Sequence, residues 1–240
     1  MTGFQASGLA ADLAALEATG KPIRIGLIGS GMMGTDIVTQ VLQMRGIVVA
    51  AIADIHVPAA VAALASAGHD ADAHRIVDSA SALEQAIGDK RIAITQNADL
   101  VCACAMIDVV VDATGKPDVG AQIGLTAMEY GKHLVMMNVE ADVTIGAYLK
   151  HEADRLGVVY SLGAGDEPSA TIELINFVSA LGYPVIAAGK GKNNPLNVDA
   201  TPDDYAGQAL DMGLNPRMLV EFVDGSKTAV EMSAIANATG

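Results

Sequence analysis

Three glycines fall at the spacing GxGxxG in the stretch Gly29-Ser30-Gly31-Met32-Met33-Gly34. The apolar run Ile23–Ile28 precedes them and reads as a strand. The periodic run Met33, Ile37, Val38, Val41, Leu42 follows and reads as a helix. A second apolar run from Ile47 to Ala53 ends in Asp54, twenty residues beyond Gly34. Strand, glycine turn, helix, strand and acid in this order build a dinucleotide-binding unit. Gly29 permits the tight turn, Gly31 lets backbone approach a pyrophosphate, and Gly34 lets helix and strand pack closely. The phosphates then lie over unpaired N–H groups at the helix N-terminus. Ser30, Met32 and Met33 complete the candidate phosphate loop.

Asp54 bears on which dinucleotide is held. A carboxylate at the end of the second strand accepts hydrogen bonds from a ribose diol and repels a 2′-phosphate. Two unit charges about 4 Å apart at an effective dielectric of about 20 cost roughly 4 kcal/mol. No Arg or Lys lies between Gly46 and His74 to bind that phosphate. Asp54 therefore favours NAD over NADP. The competing role for Asp54 is a turn cap and nothing more.

Further candidates follow later strands. Ala113, Thr114 and Gly115 close the apolar run Ile107–Asp112, and Asn138 and Glu140 follow the run His133–Met137. Loops at such strand ends face the nicotinamide half of the cofactor. Glu140 can orient substrate or relay a proton, or can serve as a first-turn acid favoured by the helix dipole. Lys190, Lys192, Asn193 and Asn194 form a dense polar, cationic loop in a chain of net charge −14. Two ammonium groups and two amides suit a phosphate or a polyol, and a lysine can polarise a carbonyl. At most one of the two lysines is expected to face the site, and the other solvent. Asp166 and Glu167 can hold a divalent cation through oxygen, or can form an acidic first helical turn.

Strands alternate with helices up to Ser161, which calls for a doubly wound parallel α/β sheet of Rossmann type. A helical arm precedes it (1–20), with Leu9, Leu13 and Leu16 on one face. The sheet domain covers 21–162. From 163 to 240 the pattern reads as a smaller α+β domain, with a strand at Val185–Ala188. An Asp224-Gly225 hairpin joins Met218–Val223 to Lys227–Ala234. Gly88 is expected to cap the helix from Ser79. A chain ending straight after a strand is expected to be a fragment of a longer protein.

Composition narrows the partners. With no Trp, three Phe and five Tyr, the core is aliphatic. The acidic balance excludes nucleic acid, whose phosphates call for clustered Lys and Arg. No basic leader or long apolar span is present, so a cytoplasmic protein off the membrane is expected. Cys102 and Cys104 read as buried hydrophobes in a reducing compartment. The expected partners are a small, phosphorylated substrate and further copies of the chain.

The cofactor unit, with Asp112-Ala113-Thr114-Gly115, resembles the NAD-binding domain of homoserine dehydrogenases and their relatives. Gly131–Glu140, Ser161–Pro168, Gly189–Pro195, Asp199–Tyr205 and Ala236–Gly240 resemble the 1-deoxy-D-xylulose 5-phosphate reductoisomerase-like proteins. That resemblance spans about 21–240. It implies NADPH-dependent rearrangement and reduction of a phosphorylated deoxy-ketose in isoprenoid precursor synthesis, helped by Mg or Mn. Asp54 departs from an NADPH pattern and keeps a catabolic NAD-linked sugar or polyol dehydrogenase open. A homoserine-dehydrogenase-type enzyme and a non-catalytic dinucleotide sensor also accommodate the glycine turn and Asp54. The lysine-bearing loop speaks against the sensor.

Overall fold

The computed structural model describes residues 7–192 and 194–240. Its first strands and helices in chain order are α1 (Leu9–Ala18), β1 (Ile23–Ile28), α2 (Met32–Val41), β2 (Ile47–Ala53), α3 (Val57–Ser66), β3 (His74–Ile76) and α4 (Ala80–Gly88). Then come β4 (Ile92–Thr95), α5 (Ala98–Ala103), β5 (Val109–Asp112), α6 (Pro117–Glu129), β6 (His133–Met136), α7 (Val139–Leu156) and β7 (Tyr160–Leu162). The remainder is helical: α8 (Glu167–Ala180), a 3-10 turn Pro202–Tyr205, α9 (Ala206–Met212), α10 (Pro216–Asp224) and α11 (Ser226–Thr239). Two compact units result. The first holds 1–141 with 148–161, the second 142–147 with 162–240.

The first unit is the expected Rossmann-type sheet. Its seven strands run in the order β3-β4-β2-β1-β5-β6-β7, with parallel ladders joining β1 to β2 and β5, β4 to β2 and β3, and β5 to β6. Strand alternation explains how both faces are covered. Ile25 and Leu27 point into a cluster with Val38 and Val41 of α2 and Ala60 and Leu64 of α3. Gly26, between them, faces the other way, where a Cβ would collide with Val101 of α5. A glycine is therefore needed for α5 to lie close to the sheet. From β1 the chain passes to β2, crosses to the edge strand β3, comes back to β4 between β3 and β2, and then returns to β5 on the other side of β1. The switch point lies between β1 and β5, where such sheets hold ligands beyond their strand ends.

Several local expectations change. Met218–Val223 and Lys227–Ala234 are not a hairpin but the helices α10 and α11. Gly225 does make the sharp reversal, at φ 90, but as a left-handed helix cap. The helical signal was Asn215-Pro216: the Asn215 side chain accepts the Arg217 N–H at 2.9 Å, and proline suits the first helical position. Buried Glu231, Ala234 and Ile235 follow the helical period, not strand alternation. Val185–Ala188 is irregular chain rather than a strand. The part expected as α+β is thus helical among the described residues. The chain ends in α11, not after a strand. α4 runs through Gly88, and Lys90 takes the left-handed conformation at φ 59. The short edge strand β3, with its exposed Ile76, carries too little periodicity to be seen in the sequence. α1 forms but buries none of its residues. No helix of the described residues is long and apolar enough to cross a membrane.

The turn itself yields a stability prediction. A Cβ on Gly34 would collide with the carbonyl oxygen of Gly29, a backbone atom held by the Gly29 N–H bond to Ala53 at 2.8 Å. Gly34→Ala should cost about 2–4 kcal/mol, the scale of a buried steric clash. Chemical denaturation checks this, and an unchanged midpoint would refute the close-packing role.

Candidate functional site

Four loops of the first unit meet at the carboxyl edge of the sheet. The glycine turn follows β1, Asp54 follows β2, Ala113-Thr114-Gly115 follows β5, and Asn138 follows β6. Gly29 lies at φ 92, and a Cβ there would meet the Ala113 carbonyl oxygen at 2.7 Å. The first and third loops therefore touch across the switch point. Gly31 is the N-cap of α2 and supplies no side-chain cap to its first turn. The first N–H groups of an uncapped helix are free to meet an anion. A Cβ on Gly31 would find nothing within 4 Å among the described residues. Met32 and Met33 are exposed beside this opening.

Asp54 is tied to the glycine turn. Its Oδ2 accepts both the Ser30 backbone N–H at 2.7 Å and the Ser30 hydroxyl at 2.5 Å. Its Oδ1 accepts the His56 N–H at 2.8 Å. Burial pushes the carboxyl pKa up, but the hydrogen bonds from Ser30 and His56 outweigh it, and the net shift is downward. Asp54 is thus an ionised, fixed acceptor. It caps its own turn through His56 and also braces the glycine turn through Ser30.

A second polar network fixes the loop after β5. Asp112 is fully buried. It accepts the Thr114 N–H at 3.1 Å and the Asn138 amide at 3.2 Å. The same Asn138 amide reaches the Lys116 carbonyl at 2.8 Å and lies 3.4 Å from the Thr114 hydroxyl. The Asn138 side-chain oxygen accepts the Ala141 N–H at 3.2 Å, capping α7. Burial raises the Asp112 pKa, and the bonds from Thr114 and Asn138 only partly oppose it. Asn138 and Thr114 therefore act here as loop supports. Sequence reasoning missed Asp112. Its signal was present, as an acid closing an otherwise apolar buried strand. Glu140 stands in the first turn of α7, half-buried.

The second unit gathers a separate charged cluster. Lys190 has a side chain only 15% exposed; its ammonium lies 2.7 Å from Glu167 and pairs closely with Glu231. Glu231, on α11, is 1% exposed and also faces Lys227 at 3.6 Å. Burial opposes the Lys190 charge, but bonds to Glu167 and Glu231 raise its pKa above the ordinary lysine value. The Lys190 bond holds Glu167 down at about 2. Asp166, by contrast, is raised by burial and by its neighbour Glu167. Carboxylate oxygens of Asp166, Glu167 and Glu231 lie within 4.8 Å of one another.

Lys192 does not turn to solvent. It donates to the carbonyl of Phe222, lies 5.4 Å from that ring's centroid, and is joined there by the Asn194 amide at 3.0 Å. Both satisfy a carbonyl in the last turn of α10, which is a capping role. Asn193 lies outside the described residues. Of the four loop candidates, Lys190 alone is shown in an acidic cluster. Sequence reasoning also missed Glu231, because a mid-helix acid on an expected strand looks solvent-facing. Cys102 and Cys104 are free and buried. Burial pushes the Cys102 thiol up to about 12, so it is no nucleophile at neutral pH.

No curated protein matches the chain. Among solved structures it resembles myo-inositol dehydrogenase from Lactobacillus casei in complex with NAD(H) and myo-inositol, at 16% identity, covering 65% of this chain and 42% of that one, TM-score 0.48. It also resembles an oxidoreductase from Agrobacterium radiobacter in complex with NAD+, L-tartaric acid and magnesium, at 13% identity, covering 68% and 41%, TM-score 0.49. A third is a homoserine dehydrogenase from Thiobacillus denitrificans, at 22% identity, covering 67% and 34%, TM-score 0.47. The chain spans less than half the length of each. Residues 165–240 match the catalytic domain of oxidoreductase DRL. Residues 29–160, from the first glycine of the turn to the last strand, match the homoserine dehydrogenase NAD-binding domain. That match takes in more than half of the chain and all four loops at the carboxyl edge of the sheet, and the chain belongs to the homoserine dehydrogenase NAD-binding domain family.

Proposed function

We propose that the protein is an NAD-linked oxidoreductase that reduces or oxidises a small phosphorylated or polyhydroxylated carbonyl compound. The observation that carries this is Asp54, ionised and clamped beside the glycine turn, where a ribose diol gains an acceptor and a 2′-phosphate meets a charge. Gly29–Gly34, Asp54 and the Ala113–Gly115 loop hold the dinucleotide, with Asn138 supporting them. Lys190, protonated at all physiological pH, is the group to steady a carbonyl oxygen or an anionic substrate. Lys192, Asn193 and Asn194 shape its loop, and Glu140 is a candidate proton relay.

Asp166, Glu167 and Glu231 are a hard-oxygen set of the kind that holds Mg or Mn. Such a cation would polarise substrate oxygens, and it would compete with Lys190 for the same carboxylates. The domain division proposed is an arm (1–20), a dinucleotide domain (21–162) and a catalytic part (163–240). Exposed Leu174, Phe177 and Ile186 support a homo-oligomer, which we place in the cytoplasm. The reductoisomerase-like motifs support a deoxy-ketose phosphate as substrate. Asp54 favours the second reading, a catabolic sugar or polyol dehydrogenase.

Calorimetric titration with NAD and NADP tests the cofactor assignment. NAD should bind at least tenfold tighter, given the roughly 4 kcal/mol charge opposition eased by solvent. Equal or tighter binding of NADP would overturn the Asp54 reading and favour the reductoisomerase-like one.

A further inference from the structure

We infer that Ser30 is a positioning residue for cofactor choice: its hydroxyl adds to the backbone donors that hold the Asp54 carboxylate and so resists its swinging away from a 2′-phosphate. This rests on the NAD-linked reading of Asp54. The second position of a GxGxxG turn is ordinarily a backbone position, with no part for its side chain in the glycine mechanics. Here the residue is 3% exposed and its side chain is committed, with the hydroxyl on Asp54 Oδ2 at 2.5 Å. The Ser30 N–H donates to the same oxygen at 2.7 Å, so Oδ2 carries two donors from one residue. The His56 N–H takes Oδ1 at 2.8 Å.

An ionised carboxylate offers about four lone-pair sites. Three are filled by the protein, which leaves one on Oδ1 for a single ribose hydroxyl. Discrimination against a 2′-phosphate depends on the charge staying in place. A carboxylate on a free χ1 and χ2 can rotate to relieve repulsion, and each donor that holds it raises the cost of that rotation. The Ser30 hydroxyl is the one side-chain donor among these three bonds, and so the one a substitution removes without changing the backbone.

The test uses the 240-residue chain and calorimetric titration of NAD and NADP. Ser30→Ala should narrow the NAD:NADP affinity ratio by roughly tenfold, the scale of one hydrogen bond to a charged group. NAD should bind several-fold more weakly and NADP no more weakly than before. Ser30→Thr, which keeps the hydroxyl, should restore the ratio. An equal loss for both cofactors in Ser30→Ala would overturn the proposal, since a merely structural turn residue affects both alike. An unchanged ratio would overturn it too. A wild-type chain that already binds the two cofactors alike defeats the NAD reading itself, and that result is read before any variant. Should Ser30→Ala melt at lower temperature than the wild type, Ser30→Cys fills the same space with a weaker donor and should narrow the ratio in the same direction.

Discussion

Gly31→Val should leave the fold intact and reduce NAD affinity by at least 100-fold. The two halves of this expectation have separate causes. Gly31 lies at φ −64 with extended ψ, a backbone conformation that does not call for glycine. A side chain there meets nothing among the described residues, so no packing is lost. The same open space lies over the uncapped first turn of α2, where a pyrophosphate would sit. Charge-assisted bonds to phosphate are worth about 1.5–3 kcal/mol each, and displacing two of them amounts to roughly 3–6 kcal/mol, or 100-fold and more. The contrast with Gly34→Ala is diagnostic. That variant should lose stability because its Cβ meets backbone, whereas Gly31→Val should lose only ligand. Thermal melts and calorimetry on both variants check the pair. Unchanged NAD affinity in a folded Gly31→Val chain would reduce the motif to a structural turn.

The sheet was legible because its signals are local. A buried parallel strand is a short apolar run, and the glycine turn and Asp54 need only spacing to be found. What sequence could not supply was partnership. Nothing in the run Ile107–Asp112 says that the closing acid will accept bonds from Thr114 and Asn138. The tie between Ser30 and Asp54 joins residues 24 apart. The second unit was harder for a different reason. Asp224-Gly225 signals a reversal without saying what it joins. The helix cap Asn215-Pro216 and the spacing of Leu219, Val220, Ala234 and Ile235 were the signals that outweighed it. Lys190 and Lys192 are two apart and would share a face in extended chain, so alternation could not choose the inward lysine. It is chosen by Glu231, a buried charge that requires a cation.

Lys190→Ala should have the largest effect in the second unit, and it should act on stability and turnover together. Removing one partner of a buried ion pair costs about 3–5 kcal/mol, because the other charge stays behind. Glu231 would keep only Lys227, at 3.6 Å. Turnover should fall by a further 10- to 100-fold, the scale of one charge-assisted bond to substrate. A double variant, Lys190→Met with Glu231→Leu, separates the two. With no buried charge left, it should recover most of the melting temperature yet remain as poor a catalyst as the single variant. The pH dependence adds a second check. Lys190 has a raised pKa, so its contribution to stability is complete below its ordinary value of 10.5 and is lost as pH rises through the folded value. Glu167 is lowered from 4.5 to about 2, so its contribution is complete above 4.5 and is lost as pH falls toward 2. Between these limits the pair is fully charged, and neither residue should place a limb in the turnover profile between pH 5 and 9. Turnover is followed at the nicotinamide absorbance with sugar phosphates, polyols and aldehydes. A double variant that regains both stability and full activity would show that Lys190 serves only the fold.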